Sequence, residues 1–393
     1  MRVLIDGGSY GGGNLGDVAM LQGLLRRIAR LRPHSSISVV GHEADWYQID
    51  EGAFRLVPPL YLPSGPTGNR RYSLRSVQEA IGRLALGVIT PFHPERAPLG
   101  DQFLDADLVI AMGGGYINDN FWLHGQFVLS LLYAACRRRK AVAMVGQGFG
   151  PLTTPALRAE LRQLLPLLGY VAIRESATSP ILLESLGYSD YHLTGDDAID
   201  LVGNRVGGSA TGPIGINVRV TNYSGVKEDK LDILRESLRQ LSVELAAPLL
   251  PLPVVIDFGG DRDAIQSLVA GLDVESEVIA TPSDLIDAIA RCRLVITGSY
   301  HAAIFSTALG IPTLCLSASD YYDSKFMGIK DQFPGIVTIA APGDSRLSFT
   351  ARMMIDRSAQ QGTNSYVDNI QGLTRLTQHS DLTFEAFLQT KGL

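Results

Sequence analysis

The chain has little cysteine: Cys136, Cys292 and Cys315 are the only three in 393 residues, far apart and each in an apolar setting. No CxxC pair occurs, which argues against a disulfide framework and a Cys-rich zinc centre. The plain reading is three small buried hydrophobes. No HExxH or HxH pattern appears either, so no tightly held metal and no cofactor are expected. A surplus of positive charge is also missing. Lys and Arg total 34 against 40 Asp and Glu, a net charge of -6. That balance argues against a nucleic-acid-binding surface and leaves room only for a local basic pocket.

Long hydrophobic runs are scarce. Val3 to Ile5 are apolar, but Asp6 and two glycines follow at once, too short a stretch for a signal segment. Leu294 to Ser319 holds no Asp, Glu, Lys or Arg and is long enough to cross a bilayer. Gly298, Ser299, His301, Gly310 and Pro312 punctuate it, however. A strand (Leu294–Thr297), a turn, a helix (Ala302–Leu309) and a second strand (Thr313–Leu316) account for it better. The expected location is the cytoplasm, with at most peripheral contact at the inner face of the membrane. Arg137-Arg138-Arg139-Lys140 closes a helix, where basic residues suit the helix C-terminus; a docking patch for anionic membrane is the sharper alternative.

Glycine and apolar residues are plentiful: 41 glycines, and 46 % of the chain hydrophobic. Such a chain can bury substantial cores. Short apolar runs alternate with helical patterns: strands at Arg2–Ile5, Ser36–Val40, Leu108–Ala111, Ala141–Val145 and Val171–Arg174, and helices at Asp17–Leu31, Gly125–Arg138, Pro155–Leu168 and Ser179–Leu186. Residues 50 to 100 read as irregular, with one helix at Ser73–Ala85. Gly203–Pro213 lacks apolar periodicity and marks a boundary. The rhythm then restarts with strands at Ile214–Val218, Pro253–Phe258 and Leu294–Thr297, and helices at Leu231–Leu245, Asp261–Ala270 and Pro282–Ala290. Helices at Leu347–Ser358, Val367–Thr377 and Leu382–Gln389 end the chain. The expected fold is α/β, with two Rossmann-like domains of parallel sheet at 1–205 and 213–345 and a cleft between them, followed by C-terminal helices at 346–393.

In open parallel sheets ligands sit beyond the carboxyl ends of strands, so the segments after strands carry the candidate chemistry. The first, Gly7 to Asp17, is glycine-rich and opens a helix. It lacks a Walker Lys, and its Gly11-x-Gly13-x-x-Gly16 spacing is weak evidence among so many glycines. Asn14 and Asp17 are its candidates, and Asp17 as a simple helix cap is the bland reading. The second, Met112 to Tyr116, offers the backbone of Gly114 and Gly115, with Asp119 just beyond. The third, Gly146 to Pro151, offers Gln147 for hydroxyl groups. The fourth, Arg174-Glu175-Ser176, ends a strand with a guanidinium suited to phosphate or carboxylate, unless Arg174 is consumed by Glu175 or Asp197. Arg219 stands likewise after Val218. The fifth, Gly298-Ser299-Tyr300-His301, puts an imidazole between a strand and a helix start, where it can act as a base near neutral pH. The sixth, Tyr321-Tyr322-Asp323-Ser324-Lys325, supplies a cation for an anionic substrate.

In order along the chain, these blocks resemble the polysaccharide pyruvyl transferase family. Asn14-Leu15-Gly16-Asp17-Val18-Ala19-Met20-Leu21 is similar to its N-x-G-D-x-A-hydrophobic-L signature. Gly113-Gly114-Gly115, Gly146 to Pro151 and Ala172 to Ser176 resemble its next three blocks. Gly195-Asp196-Asp197-Ala198 resembles its G-D-P-A block with Asp for Pro, and Ile216 to Arg219 the strand opening its second half. Gly298 to Gly328 resembles its closing R-x-H … G-x-P … Y-x-x-K block. The resemblance covers about residues 1 to 330. It implies a fold like that of GT-B glycosyltransferases, with the N-terminal domain on the acceptor side and the C-terminal domain on the donor side. It also implies transfer of a pyruvyl group from phosphoenolpyruvate to a sugar hydroxyl of a cell-envelope glycan or its lipid-linked precursor.

On that reading His301 and Asp17 are the catalytic candidates, with Asp119 a second acid. Asn14, Gly114, Gly115, Asp119, Gln147, Arg174, Arg219, Ser299, Tyr300 and Lys325 bind substrate. No metal is required, and self-association is left open. One departure stands out. Ser299 occupies the place of the family Arg, removing a charge-assisted contact worth about 1.5–3 kcal/mol. Two donors therefore remain open: phosphoenolpyruvate held by Arg174, Arg219 and Lys325, or a nucleotide sugar in a GT-B glycosyltransferase. A binding protein without turnover is a third reading. The loop of residues 60 to 100, with Arg70, Arg71, Tyr72 and Arg75, is a candidate for acceptor binding.

Overall fold

A computed structural model describes residues 1–7, 13–41, 54–57, 94, 99–219, 228–256, 260–361 and 364–393. The expected helix at 73–85 and the basic residues at 70–75 lie outside the described residues. The chain divides into two compact units. The first comprises Met1–Gly12, Met20–Asp197 and Thr377–Leu393; the second comprises Gly13–Ala19 and Ala198–Leu376.

Among the described residues, the first unit is built on one sheet of eight strands: β1 (Arg2–Asp6), β2 (Ser36–Val40), β3 (Phe54–Val57), β4 (Leu108–Ala111), β5 (Gly114–Ile117), β6 (Ala141–Phe149), β7 (Tyr170–Ile173) and β8 (His192–Leu193). Their order is β3-β2-β1-β4-β6-β7-β8, with β5 pairing β6 off this path, and each described pair is parallel. Parallel strands need helical crossovers that cover the sheet faces, so the central strands carry unbroken apolar runs. All four residues of β4 and of β7 are buried. Leu4, Val109, Met144 and Ile173 join one core with Phe103, Phe127, Leu131 and Phe149.

Among the described residues, the second unit carries five strands: β9 (Ile214–Asn217), β10 (Leu249–Pro251), β11 (Leu294–Thr297), β12 (Thr313–Leu316) and β13 (Val337–Ala340). They run in the order β10-β9-β11-β12-β13, all parallel. Ile214, Ile216, Leu294, Ile296 and Leu314 pack on Leu234, Leu238 and Leu241 of the Glu228–Leu245 helix and on Ile265 and Leu268 of the Asp261–Val269 helix. The expected α/β class with two parallel sheets is thus observed, and the charge-free segment is the strand–helix–strand that its punctuation implied. Cys292 and Cys315 are buried and Cys136 is half-buried, all as free thiols. Burial pushes the Cys136 thiol up to about 11.

Four expectations are corrected. The Gly146 to Phe149 block is not a loop after a strand. β6 runs through it to Phe149, because its residues pair with β5 and β7. Of the strand expected at 253–258, residues 257 and 258 lie outside the described residues; the strand beside β9 lies earlier, at Leu249–Pro251, where the register with β9 exists, and Val255 makes an isolated antiparallel bridge to Asn14. Tyr321 to Lys325 are not loop residues but the opening of a helix, Asp320–Gln332. The two last expected helices are one, Asn364–Thr390. Its polar middle is held by Asp381, which pairs with Arg27 and Arg30 of the Leu15–Leu31 helix. Phe384 and Phe387 meet the Tyr170 ring at 5.4 and 5.5 Å. Of the C-terminal helices, the residues up to Leu376 fall in the second unit and Thr377–Leu393 in the first.

Candidate active site

Ligands of doubly wound sheets gather where the strand order reverses, outside the carboxyl ends of the two strands flanking that point. In the second unit the reversal lies between β9 and β11. The residues following these strands are Val218-Arg219 and Gly298-Ser299-Tyr300-His301. Gly298 lies directly against Arg219, since a Cβ on it would fall 3.2 Å from the Arg219 amide nitrogen. Thr297 is fully buried and receives the Ser299 amide on its hydroxyl at 2.9 Å. That bond turns the chain from β11 into the Tyr300–Ala308 helix. Ser299 is extended at the N-cap, but its side chain makes no capping bond. The first-turn N–H groups of this helix, with the positive end of its dipole, suit an anion.

His301 is the second residue of that helix and is 8 % exposed. Its ring lies edge-on to Tyr300, with centroids 5.3 Å apart. Lys325 is half-buried nearby. Its ammonium sits 4.2 Å from the Tyr321 ring centroid and 5.8 Å from that of Tyr300, and it donates a hydrogen bond to the Tyr321 hydroxyl. The aromatic pair holds the cation near the Tyr300 ring, which in turn flanks the imidazole.

The Asn14–Asp17 segment belongs to this same unit. Asn14, not Asp17, is the helix cap: its Oδ1 accepts from the Gly16 amide at 3.1 Å, and its carbonyl accepts from Asp17 and Val18. Asp17 stands half-buried in the first turn. Gly16 faces His301 so closely that a Cβ there would overlap the imidazole. The glycine of the signature is thus a steric requirement of the histidine. Gly16→Ala is expected to displace His301 and cut turnover at least as strongly as a conservative change at His301 itself, with the melting temperature reporting any wider damage.

The first unit holds the other candidates. Its reversal lies between β1 and β4, and the chain after β4 enters the glycines at 113–115. Gly114 has φ +156° and is crowded by the Tyr116 ring, which restricts the position to glycine. Gly115 follows it in β5 and is half-buried. Gln147 is fully buried in β6. Its Nε2 donates to the Met112 carbonyl at 2.6 Å and to the Tyr116 hydroxyl at 3.0 Å, so it braces this turn. Asp119 is occupied too: its carboxylate accepts from the Thr153 amide and hydroxyl, both at 2.7 Å, and from the Thr154 amide at 3.1 Å. Partial burial works against its charge, but these hydrogen bonds outweigh it and hold the carboxyl below its ordinary pKa. Asp119 therefore stays ionised at neutral pH and fits a loop staple better than a proton donor.

Arg174 is 2 % exposed and pairs with Asp196 at 2.9 Å. It lies so close to Gly148 that a Cβ there would fall 2.8 Å from its Nε. The internal partner is Asp196, where Glu175 and Asp197 had been the expected ones. Glu175 instead caps the Ser179–Ser185 helix through Ala177, Thr178 and Ser179. Asp197 pairs with Arg27 at 2.8 Å, both side chains buried. Burial works against the Arg27 charge, but Asp197, Tyr170 and Asp381 outweigh it and raise its pKa.

The structure thus assembles Asn14, Asp17, Arg219, Ser299, Tyr300, His301 and Lys325 in one unit, and Gly114, Gly115, Asp119, Gln147 and Arg174 in the other. Among the described residues no group of His, Cys, Asp and Glu could hold a metal ion, and no helix is long and apolar enough to cross a membrane.

The family model for polysaccharide pyruvyl transferases matches residues 14–320, from the Asn14 cap to the start of the helix bearing Lys325. The chain belongs to the polysaccharide pyruvyl transferase family. It is accordingly a transferase-family protein of polysaccharide biosynthesis. No curated protein matches the sequence. Among solved structures it is similar to the UDP-GlcNAc 2-epimerase of Neisseria meningitidis bound to UDP-GlcNAc, at 12 % identity and TM-score 0.62, covering 99 % of this chain and 100 % of that one. The UDP-GlcNAc 2-epimerase of Methanocaldococcus jannaschii matches at 9 % identity and TM-score 0.55, covering 90 % and 92 %. The calicheamicin glycosyltransferase CalG4 matches at 13 % identity and TM-score 0.56, covering 99 % and 98 %. At these identities the likeness establishes the GT-B fold of this pyruvyl transferase relative and nothing finer.

Proposed function

We propose that this protein transfers the pyruvyl group of phosphoenolpyruvate to sugar hydroxyls of a cell-envelope glycan or its precursor, with the donor held in the second unit. The observation that carries the reading is the packing of His301 on Gly16. It brings the family's first and last signature blocks into one site at the strand-order reversal.

The donor carries a phosphate and a carboxylate. The N-terminus of the Tyr300–Ala308 helix suits one, and Arg219 and Lys325 supply cations for the other. Ser299 leaves the helix start without the family arginine, so these groups carry the anion. In the reaction a proton is delivered to the methylene carbon, C2 acquires cationic character, and a sugar hydroxyl adds to it as its proton is removed. Phosphate leaves, and a second hydroxyl closes the ketal. Of the two hydroxyl protons, one ends on the new methyl group and one on phosphate. His301 is the proton-transfer group, a role for which an imidazole side chain is the commonest choice. Asp17, in the helix turn that packs on it, is the second candidate. No step calls for a metal ion.

A nucleotide-sugar donor is the second reading, favoured by Ser299 in place of the arginine. Thermal shift separates the two, since a ligand that binds only the folded state raises the melting temperature by mass action. Phosphoenolpyruvate is expected to stabilise the protein well beyond inorganic phosphate, and UDP-sugars no more than phosphate. Stabilisation by a UDP-sugar alone would replace pyruvyl transfer by glycosyl transfer.

A further inference from the structure

Asp261 has no place in the signature blocks, yet it is the buried hub of the second unit's site. It opens the Asp261–Val269 helix and is 3 % exposed. One oxygen, Oδ1, accepts from Arg219 Nη1 at 3.1 Å. The other, Oδ2, accepts three bonds: from Asn217 Nδ2 at 2.9 Å and from the Val254 and Val255 amides at 3.0 Å each. Its own amide donates to the Val255 carbonyl at 2.9 Å. A buried carboxylate is expensive unless charge and hydrogen bonds compensate it. Here one cation and three donors do so.

Each of these partners leads to the site. Arg219 follows β9 at the strand-order reversal. Asn217, fully buried, accepts from the Thr297 hydroxyl at 3.3 Å, and Thr297 in turn holds the Ser299 amide before His301. The 254–256 segment seats the signature loop: the Leu15 amide donates to the Val254 carbonyl at 2.9 Å, and the Ile256 amide to the Gly13 carbonyl at 2.7 Å. Asn14 bridges Val255 between them. Gly16, two residues on, carries the His301 ring.

We propose that Asp261 is a positioning residue with two separable tasks: one carboxylate oxygen aims the Arg219 guanidinium at the anionic donor, and the other seats the Asn14–Gly16 loop under His301. The proposal rests on the donor-binding reading above. A guanidinium has five N–H donors in a fixed fork, so anchoring one nitrogen orients the rest of the fork.

The two oxygens allow a selective test. Asp261→Asn keeps an oxygen for Asn217, Val254 and Val255 but turns an amide donor toward Arg219. Asp261→Ala removes both tasks. Steady-state kinetics and thermal shift with phosphoenolpyruvate should show Asp261→Asn raising KM about tenfold, the equivalent of one charge-assisted contact, with kcat largely kept. Asp261→Ala should raise KM similarly and lower kcat as well, because the loop under His301 loses its seat. In an Arg219→Ala background Asp261→Asn should weaken the donor no further, since the coupling runs through that pair.

A purely structural aspartate would lower melting temperature and active fraction with KM unchanged. That result, or wild-type affinity in Asp261→Asn, overturns the proposal. If wild type responds to UDP and not to phosphoenolpyruvate, pyruvyl transfer falls while the same cycle, read with UDP, still tests Asp261. If no probe stabilises wild type, both fall, for there is then no anion for Arg219 to hold.

Discussion

Replacing His301 by alanine is expected to lower kcat by about 10²–10⁴-fold, the usual contribution of a positioned acid or base, while phosphoenolpyruvate still raises the melting temperature. The expectation rests on position. His301 is in the first turn of a helix at the strand-order reversal, 8 % exposed, with Gly16 beneath it and Tyr300 at its edge. The removed ring leaves space that alanine does not fill, so His301→Gln serves as a control that restores bulk and polarity without an imidazole's titration. Both variants should fail alike if proton transfer is the role. A loss of donor affinity matching the loss of kcat would instead make His301 a binding group. Retained activity in either would remove it from the chemistry and, with it, the site assignment.

The largest stability effect is expected at Arg174 and Asp196. Both side chains are almost completely buried, and their nitrogen and oxygen lie 2.9 Å apart. Asp196→Ala removes a carboxylate partner from a buried guanidinium and should cost about 3–5 kcal/mol. For a unit of this size that is a fall of roughly 6–20 °C in melting temperature. Replacing both residues, as Arg174→Met with Asp196→Leu, should recover most of the loss, because a buried ion pair contributes little over apolar residues of similar volume. The double variant also separates structure from binding. If it melts normally and keeps its donor affinity, Arg174 belongs to the core of the first unit. If it melts normally and loses affinity, the guanidinium reaches the ligand.

The buried strands were readable because their sequences admit few alternatives. Leu294–Thr297 and Thr313–Leu316 have the bounds expected from apolar runs stopped by glycine and proline. The Pro282–Ala290 helix also starts and stops as expected; Thr281 and Asp284 form a capping box around its first turn. Readings failed where long-range pairing overrode local signal. Glycines at 146 and 148 look like loop residues, but neighbours on both sides extend β6 through them. Gln378 to Asp381 look like a break until Arg27 and Arg30 appear across from Asp381.

The site divides the same way. Local order of residue types was enough to single out His301, Arg219, Lys325 and the Asn14–Asp17 signature as candidates, but the same rule also raised Arg174, which follows a buried strand and pairs with Asp196. Nothing local marked Asp261, an acidic residue at a helix start like many others. Its role exists only because Asn217, Arg219, Val254 and Val255 converge on its two oxygens.

The sequence by itself determined the alternation of strand and helix, the two parallel sheets and the family, because these follow from hydrophobic period, turn residues and the order of short motifs. Only the tertiary structure decided that the first signature packs under the last histidine, that Arg174 pairs with Asp196, and that Asp261 joins Arg219 to the signature loop. Those are contacts between residues tens to hundreds of positions apart. Packing and charge pairing select them from many partners the chain could offer, and no local pattern encodes the choice.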